Sequence, residues 1–163
     1  MTAHTRAPTT VTHGSFMIER TFRSGPAKVF DAFADPEKKR RWFADRSSMT
    51  VDSVAMDFRV GGHERYGFRF GAGQPIPEDT TCVNDTVYMD IVPGKRIVFA
   101  YTMAIAGSRI SSSQVTLELL EENGGTLMVF TEQAAFFEGA DGPDIRRAGQ
   151  EALLAELAAE LGE

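Results

Sequence analysis

The chain has one cysteine, Cys82, so no intramolecular disulfide is possible and the fold needs no oxidising compartment. Histidine is scarce too. His4, His13 and His63 are the whole set, and no two have helical or hairpin ligand spacing, so no metal site is expected. Basic charge is in deficit: 17 Lys and Arg face 23 Asp and Glu, a net charge of −6. That balance argues against nucleic acid held by bulk electrostatics. No apolar run approaches the roughly 20 residues of a membrane-spanning helix. The opening MTAHTRAPTTVTHG lacks the apolar centre of a signal peptide. Gly61-Gly62 and Gly71-Ala72-Gly73 lack both the full glycine pattern and the following helix of a phosphate loop, and there is no G-x-S-x-G elbow. Together these absences point to a cytoplasmic domain with no membrane span, no nucleic-acid partner and no cofactor.

What is present is aromatic and soft. Twelve Phe and seven Met stand beside three Tyr and one Trp. In 163 residues, enough for one domain, that much apolar bulk either packs a dense core or lines an apolar cavity. Hydrophobic residues at 42% and charged residues at 25% exclude disorder throughout, collagen and coiled coil.

Residues 1–13 are small, polar and without periodicity, which predicts a mobile N-terminal arm before a single domain over 14–163. Phe16, Ile18 and Phe22 share one parity and predict a strand over 15–22. Gly25-Pro26 and Asp35-Pro36 open two short helices, because proline suits the first helical position. The second carries Lys38-Lys39-Arg40-Arg41 and ends in Trp42-Phe43. Its four basic residues spread round the helix and read as a solvated surface. Short strands follow at 49–52, 58–60, 63–70, 82–92, 96–103, 114–120 and 126–133. Pro93-Gly94 and Asn123-Gly124 mark tight turns, and 108–112 is a turn or a frayed strand end. A last helix over 144–161 shows an apolar stripe of Ile145, Ala148, Leu154, Leu157, Ala158 and Leu161. Arg146, Arg147 and Gln150 lie opposite. One strand, two short helices, an antiparallel meander and a long amphipathic helix make an α+β domain with the helix buried against the sheet.

The segments Ile18-Glu19-Arg20-Thr21-Phe22, Pro26-Ala27-Lys28-Val29-Phe30-Asp31-Ala32-Phe33, Asp35-Pro36 and Arg41-Trp42-Phe43 resemble the opening of a bacterial family. Those proteins are named after the activator of the ninety-kilodalton heat-shock ATPase, within the START-like (SRPBCC) superfamily. Phe58-Arg59-Val60-Gly61-Gly62, the run from Asp90 to Phe99, and Gly124-Gly125-Thr126-Leu127 fit as well. The similarity covers about residues 15–161. It implies a helix-grip fold, a curved antiparallel sheet around the C-terminal helix with a cavity between them, and binding of a small apolar molecule. The superfamily has no universal catalytic residue, and fold alone does not assign an activity. The chain departs from relatives near position 131, where a His is frequent, and at the start of the last helix, where Gly142-Pro143-Asp144-Ile145 replaces a Gly-Trp opening.

Within that frame the candidate ligand-binding residues are Trp42, Tyr66, Phe68, Phe70, Tyr88, Phe99, Tyr101, Met103 and Gly149. The apolar members supply area, a tyrosine supplies an orienting hydroxyl, and Gly149 leaves room on the helix. An internal pocket of about 300 Å³ or more is expected beside Tyr101 and the last helix. Charged strand positions include His63, Glu64, Asp85, Asp90 and Glu132. Glu64 stands out because it shares parity with Tyr66, Phe68 and Phe70. Three functions remain open. The leading one is a carrier of a small apolar molecule. The second is a cavity enzyme of cyclase or hydrolase type, which a buried Arg/Glu or His/Asp pair in the cavity would favour. The third is a chaperone-partner, stress-response or regulatory module, which a large exposed apolar patch would favour. No catalytic residue is assigned. Finally, Leu127 and Val129 are taken as inward, which leaves Met128 and Phe130 on the outer face of the sheet. A homodimer through those two residues would cover them.

Overall fold

Strand β1 (Val11–Phe22) is the first element of the computed structural model, which describes residues 9–163. It begins before the expected end of the arm, so 11–13 belong to the sheet. The part of the arm up to residue 8 lies outside the described residues. Helix α1 (Pro26–Ala34) and the short α2 (Pro36–Lys39) follow, each opened by its proline. The Asp35 side chain caps α2 by accepting the N–H groups of Glu37 and Lys38. The chain then widens into a π-helical turn at Arg40–Ala44.

The remaining strands are β2 (Met49–Met56), β3 (His63–Phe70), β4 (Thr81–Val92), β5 (Arg96–Ile105), β6 (Ser108–Glu122) and β7 (Gly125–Phe137). All neighbours are antiparallel in one seven-stranded sheet of order β1-β7-β6-β5-β4-β3-β2. Helix α3 (Gly142–Glu160) closes the chain. Leu154, Leu157, Ala158 and Leu161 sink into the main core with Ile18, Val29, Phe33, Leu117, Met128 and Phe130. This is the expected helix-grip α+β fold. At its start α3 sits tightly on β1: a Cβ on Gly14 would lie 2.8 Å from the Pro143 ring.

Several local expectations need correction. Residues 58–60 form a turn, not a strand. Arg59 N–H bonds Asp57 O and Gly62 N–H bonds Arg59 O. A Cβ on Gly62 would lie 2.0 Å from Asp57 O, so the turn admits only glycine there. Phe58 still serves the core, edge-on to Phe30 and Tyr88. Residues 108–112 are the start of β6, reached through the tight turn at Ala106-Gly107.

The larger correction is to β7. Glu122 pairs with Gly125 across the Asn123-Gly124 turn, so odd positions of β6 face even positions of β7. Leu117 stands opposite Phe130 and Leu119 opposite Met128. Cross-strand partners share a face, and Met128 and Phe130 are therefore core residues at 0% and 4% exposure. The surface expected to form a homodimer is inside the monomer. On α3 the buried face likewise runs through Arg146 while Ile145 is exposed and Ala148 faces solvent.

Candidate functional site

The C-terminal half of α3 is docked, but its N-terminal half leaves a trough against β3, β4 and β5. Two adjoining chambers fill this gap and share Phe43, Asn84, Met103, Gln150 and Leu153 as walls. The inner chamber holds about 80 Å³ and is bounded by Phe33, Trp42, Phe99, Tyr101, Phe130 and Leu154, with Lys39 and Glu64 in its wall. The outer chamber holds about 300 Å³ and reaches Phe68, Cys82, Ile105, Ile110, Ile145 and Gly149. The volume expected beside Tyr101 therefore lies one step outward, along α3.

Buried ion pairs sit at both ends. At one end Lys39, at the end of α2, donates to both carboxylate oxygens of Glu64 at 2.7 Å. Tyr88 donates its hydroxyl to the same carboxylate. The Lys39 ammonium also lies 5.2 Å from the Phe43 ring centroid. Burial first, and then the Glu64 charge, push the Tyr88 phenol far above its ordinary value. Tyr66 is raised for the same two causes, and its hydroxyl has no hydrogen-bond partner among the described residues.

At the other end Arg146 reaches in from α3. It donates to Glu132 at 3.2 Å, to the Tyr101 hydroxyl at 2.9 Å, to Ser111 at 2.8 Å and to Asp141 at 2.8 Å. Tyr101 donates to Glu132 at 2.7 Å, and Gln150 to the second Glu132 oxygen at 3.0 Å. Burial works against the Arg146 charge, but Tyr101, Asp141 and Glu132 outweigh it and hold the guanidinium above its usual value.

Of the candidate residues, the trough gathers Trp42, Phe99, Tyr101 and Met103 around the inner chamber, and Phe68, Met103 and Gly149 around the outer one. Tyr66 and Tyr88 lie behind these walls, and Phe70 flanks the smaller core cluster. The indole of Trp42 is fixed by donation to Ala32 O at 2.8 Å. Lys39, Glu132, Arg146 and Gln150 were missed as site residues. A signal existed for Lys39, which precedes Trp42 and Phe43 by three and four positions and so shares their helical face.

Both buried carboxylates have hydrogen-bond partners on both oxygens. Two polar atoms in the walls of the trough are buried without a partner among the described residues: the Asn84 side-chain oxygen between the chambers and the Arg46 Nε in the outer one. Burial pushes the Cys82 thiol up to about 11, which makes it a poor nucleophile. Among the described residues no cluster of three or more His, Cys, Asp or Glu is placed to hold a metal, and no helix is long and apolar enough to cross a membrane.

A family model described as Activator of Hsp90 ATPase homolog 1-like protein matches residues 23–162. A Rhizobium loti protein of known structure is 43% identical over 92% of this chain and 98% of its own, with a TM-score of 0.81. A Rhizobium leguminosarum protein is 37% identical over 93% of this chain and 96% of its own, with a TM-score of 0.84. An AHSA1-like protein from Aeromonas hydrophila, 18% identical over 91% of this chain and 92% of its own, shares the fold at a TM-score of 0.66. No curated protein matches the chain.

Proposed function

For a chain that belongs to the Activator of Hsp90 ATPase homolog 1-like family, we propose a binding role: it holds a small, largely apolar molecule in the trough between the sheet and the N-terminal half of α3. The observation that carries this reading is the outer chamber of about 300 Å³, continuous in its walls with the aromatic inner chamber. An apolar cavity of roughly 150 Å³ already holds benzene. The guest's bulk therefore fits the outer chamber, and the inner one takes at most its tip. Trp42, Phe99 and Met103 supply apolar contact.

The test is uptake of N-phenyl-1-naphthylamine, a neutral apolar probe, followed by its fluorescence. Saturable uptake is expected, weakened about ten-fold or more by Leu153→Trp, which fills the wall shared by the chambers. Native mass spectrometry of freshly purified protein should show a bound small molecule. No saturable uptake and no bound mass would remove the reading.

A cavity enzyme is the second reading, favoured by the buried Arg146–Glu132 pair, whose Arg146 lines the outer chamber, and by the Lys39–Glu64 pair in the inner wall. Against it stand the partners that already occupy both Glu132 oxygens and the size of the inner chamber, about 80 Å³, too small for a substrate beside Lys39 and Glu64. The interaction-module reading draws little support. The exposed large apolar residues Met17, Val60, Met89, Leu120 and Ile145 are few and lie on five different elements or loops.

A further inference from the structure

Nearly every arginine near the trough is neutralised. Arg146 has Glu132 and Asp141, Arg41 has Glu160 and Arg40 has Asp45. Arg46 is different. It lies just after the π-helical turn and lines the outer chamber. Among the described residues no carboxylate forms an ion pair with it, and its buried Nε has no partner. Its one side-chain hydrogen bond among the described residues runs from Nη2 to the thioether of Met49, at 3.3 Å. Sulfur is a weak acceptor, and a guanidinium carries five N–H donors. Burial depresses the basicity of this group, and Glu156 on α3 opposes that only at a distance.

Arg46 is half-buried, and an uncompensated guanidinium drawn that far out of water is costly unless something neutralises it. The partner comes from outside the chain and itself carries apolar surface, because Phe68, Ile76, Ile105 and Ile110 are among the apolar residues that make up most of the wall. It must also bring no more than one negative charge, since Asp141 stands in the same wall. We propose that the guest of this trough is an apolar monocarboxylate, its carboxylate held in a two-pronged ion pair by Arg46 and its hydrocarbon body running toward Met103 and Trp42. Planar, bidentate pairing is what arginine offers and lysine does not. The proposal rests on the binding role above and narrows it to one ligand class.

The experiment compares decanoate, decanol and decyl phosphate on delipidated protein, read by the emission of Trp42, the chain's one tryptophan. Wild type should bind decanoate about ten-fold or more tighter than decanol. Arg46→Met should erase that preference, while Arg46→Lys keeps part of it. The empty Arg46→Met protein should melt at or above the wild-type temperature, because an unpaired, half-buried cation has been removed. Decanoate should raise the melting temperature of wild type but not of this variant. Equal binding of decanoate and decanol to wild type, or a preference that survives Arg46→Met, overturns the anchor and leaves the binding role standing. Tighter binding of decyl phosphate overturns the single-charge assignment. A marked loss of stability in empty Arg46→Met makes the residue structural and also overturns it. Failure of all three probes to bind removes both readings.

Discussion

Replacing Arg146 by Met removes one cation from a place where water cannot take over its role. Arg146 is 4% exposed and Glu132 is 0% exposed. Met reproduces the apolar stem, so contacts along the stem survive and the loss is that of the charged head. Glu132 keeps the hydrogen bonds from Tyr101 and Gln150 but loses its counter-charge. Breaking a buried pair from one side costs about 3–5 kcal/mol, and the two surviving bonds place this case near the lower end. Such a loss is a large share of the roughly 5–15 kcal/mol that holds a domain folded. Arg147, one position on, forms an exposed pair with Glu151, and Arg147→Met should cost about 0.3–0.5 kcal/mol. Urea unfolding at pH 7 gives both numbers from the midpoint at constant slope. Adding Glu132→Gln to Arg146→Met should recover more than half of the loss, because no unpaired charge then remains inside. A cost under about 1 kcal/mol for Arg146→Met, or a double variant as weak as the sum of the singles, would refute the network as a coupled unit.

Leu157, at 0% exposure in the docked half of α3, should cost about 2–5 kcal/mol when cut to Ala, and a thermal or urea cost below about 1 kcal/mol would mean the helix is not seated there. Ile145→Lys should change stability by less than about 0.5 kcal/mol, because this residue is 67% exposed. Burial raises the Cys82 thiol from 9.0 to about 11. The folded protein therefore keeps that proton after the unfolded chain has released it. The resulting stability is complete below pH 9 and is lost as pH rises through 11. Cys82→Ala should flatten the fall of the urea midpoint over that range, and an unchanged alkaline slope would show that the thiol does not titrate as described.

The sequence carried the frame of the fold because its signals were local. The bounds of β3 follow from Gly61-Gly62 on one side and the Gly/Pro-rich 71–79 segment on the other. Proline at 26 and 36 opened both short helices. The face of β7 was also within reach. A two-residue Asn123-Gly124 turn forces odd positions of one strand opposite even positions of the next, so an inward Leu117 demands an inward Phe130. Alternation alone could not decide it, because Leu127, Met128, Val129 and Phe130 are apolar on both parities. Residues 58–60 misled for a different reason. Strand propensity was read from Phe58 and Val60, while the close approach of Gly62 to Asp57 O sets a turn. The 300 Å³ of the outer chamber were beyond any periodicity argument, since they depend on how far the start of α3 stands from the sheet.

The misread charges are not scattered. Lys39 was read as part of a solvated basic run, Arg146 as the outer face of a helix, and Glu132 only as one of several charged strand positions. All three lie inside the protein, and all three belong to the ion pairs that end the trough. Each pair takes one member from the sheet and one from a helical segment: Glu64 on β3 with Lys39 on α2, Glu132 on β7 with Arg146 on α3. Well-packed apolar residues at such positions are often as stable as an ion pair or more so. Stability alone therefore does not explain why charge sits where the pattern asks for leucine. Apolar side chains would let the start of α3 settle onto the sheet and fill the gap with its own atoms. The Arg146 bonds to Glu132, Tyr101 and Ser111 tie the start of α3 to the sheet at a set height, and the outer chamber lies beside them. Local patterning fails in this chain where the fold keeps an opening instead of closing a core, which is where a binding site is expected to break the rules of packing.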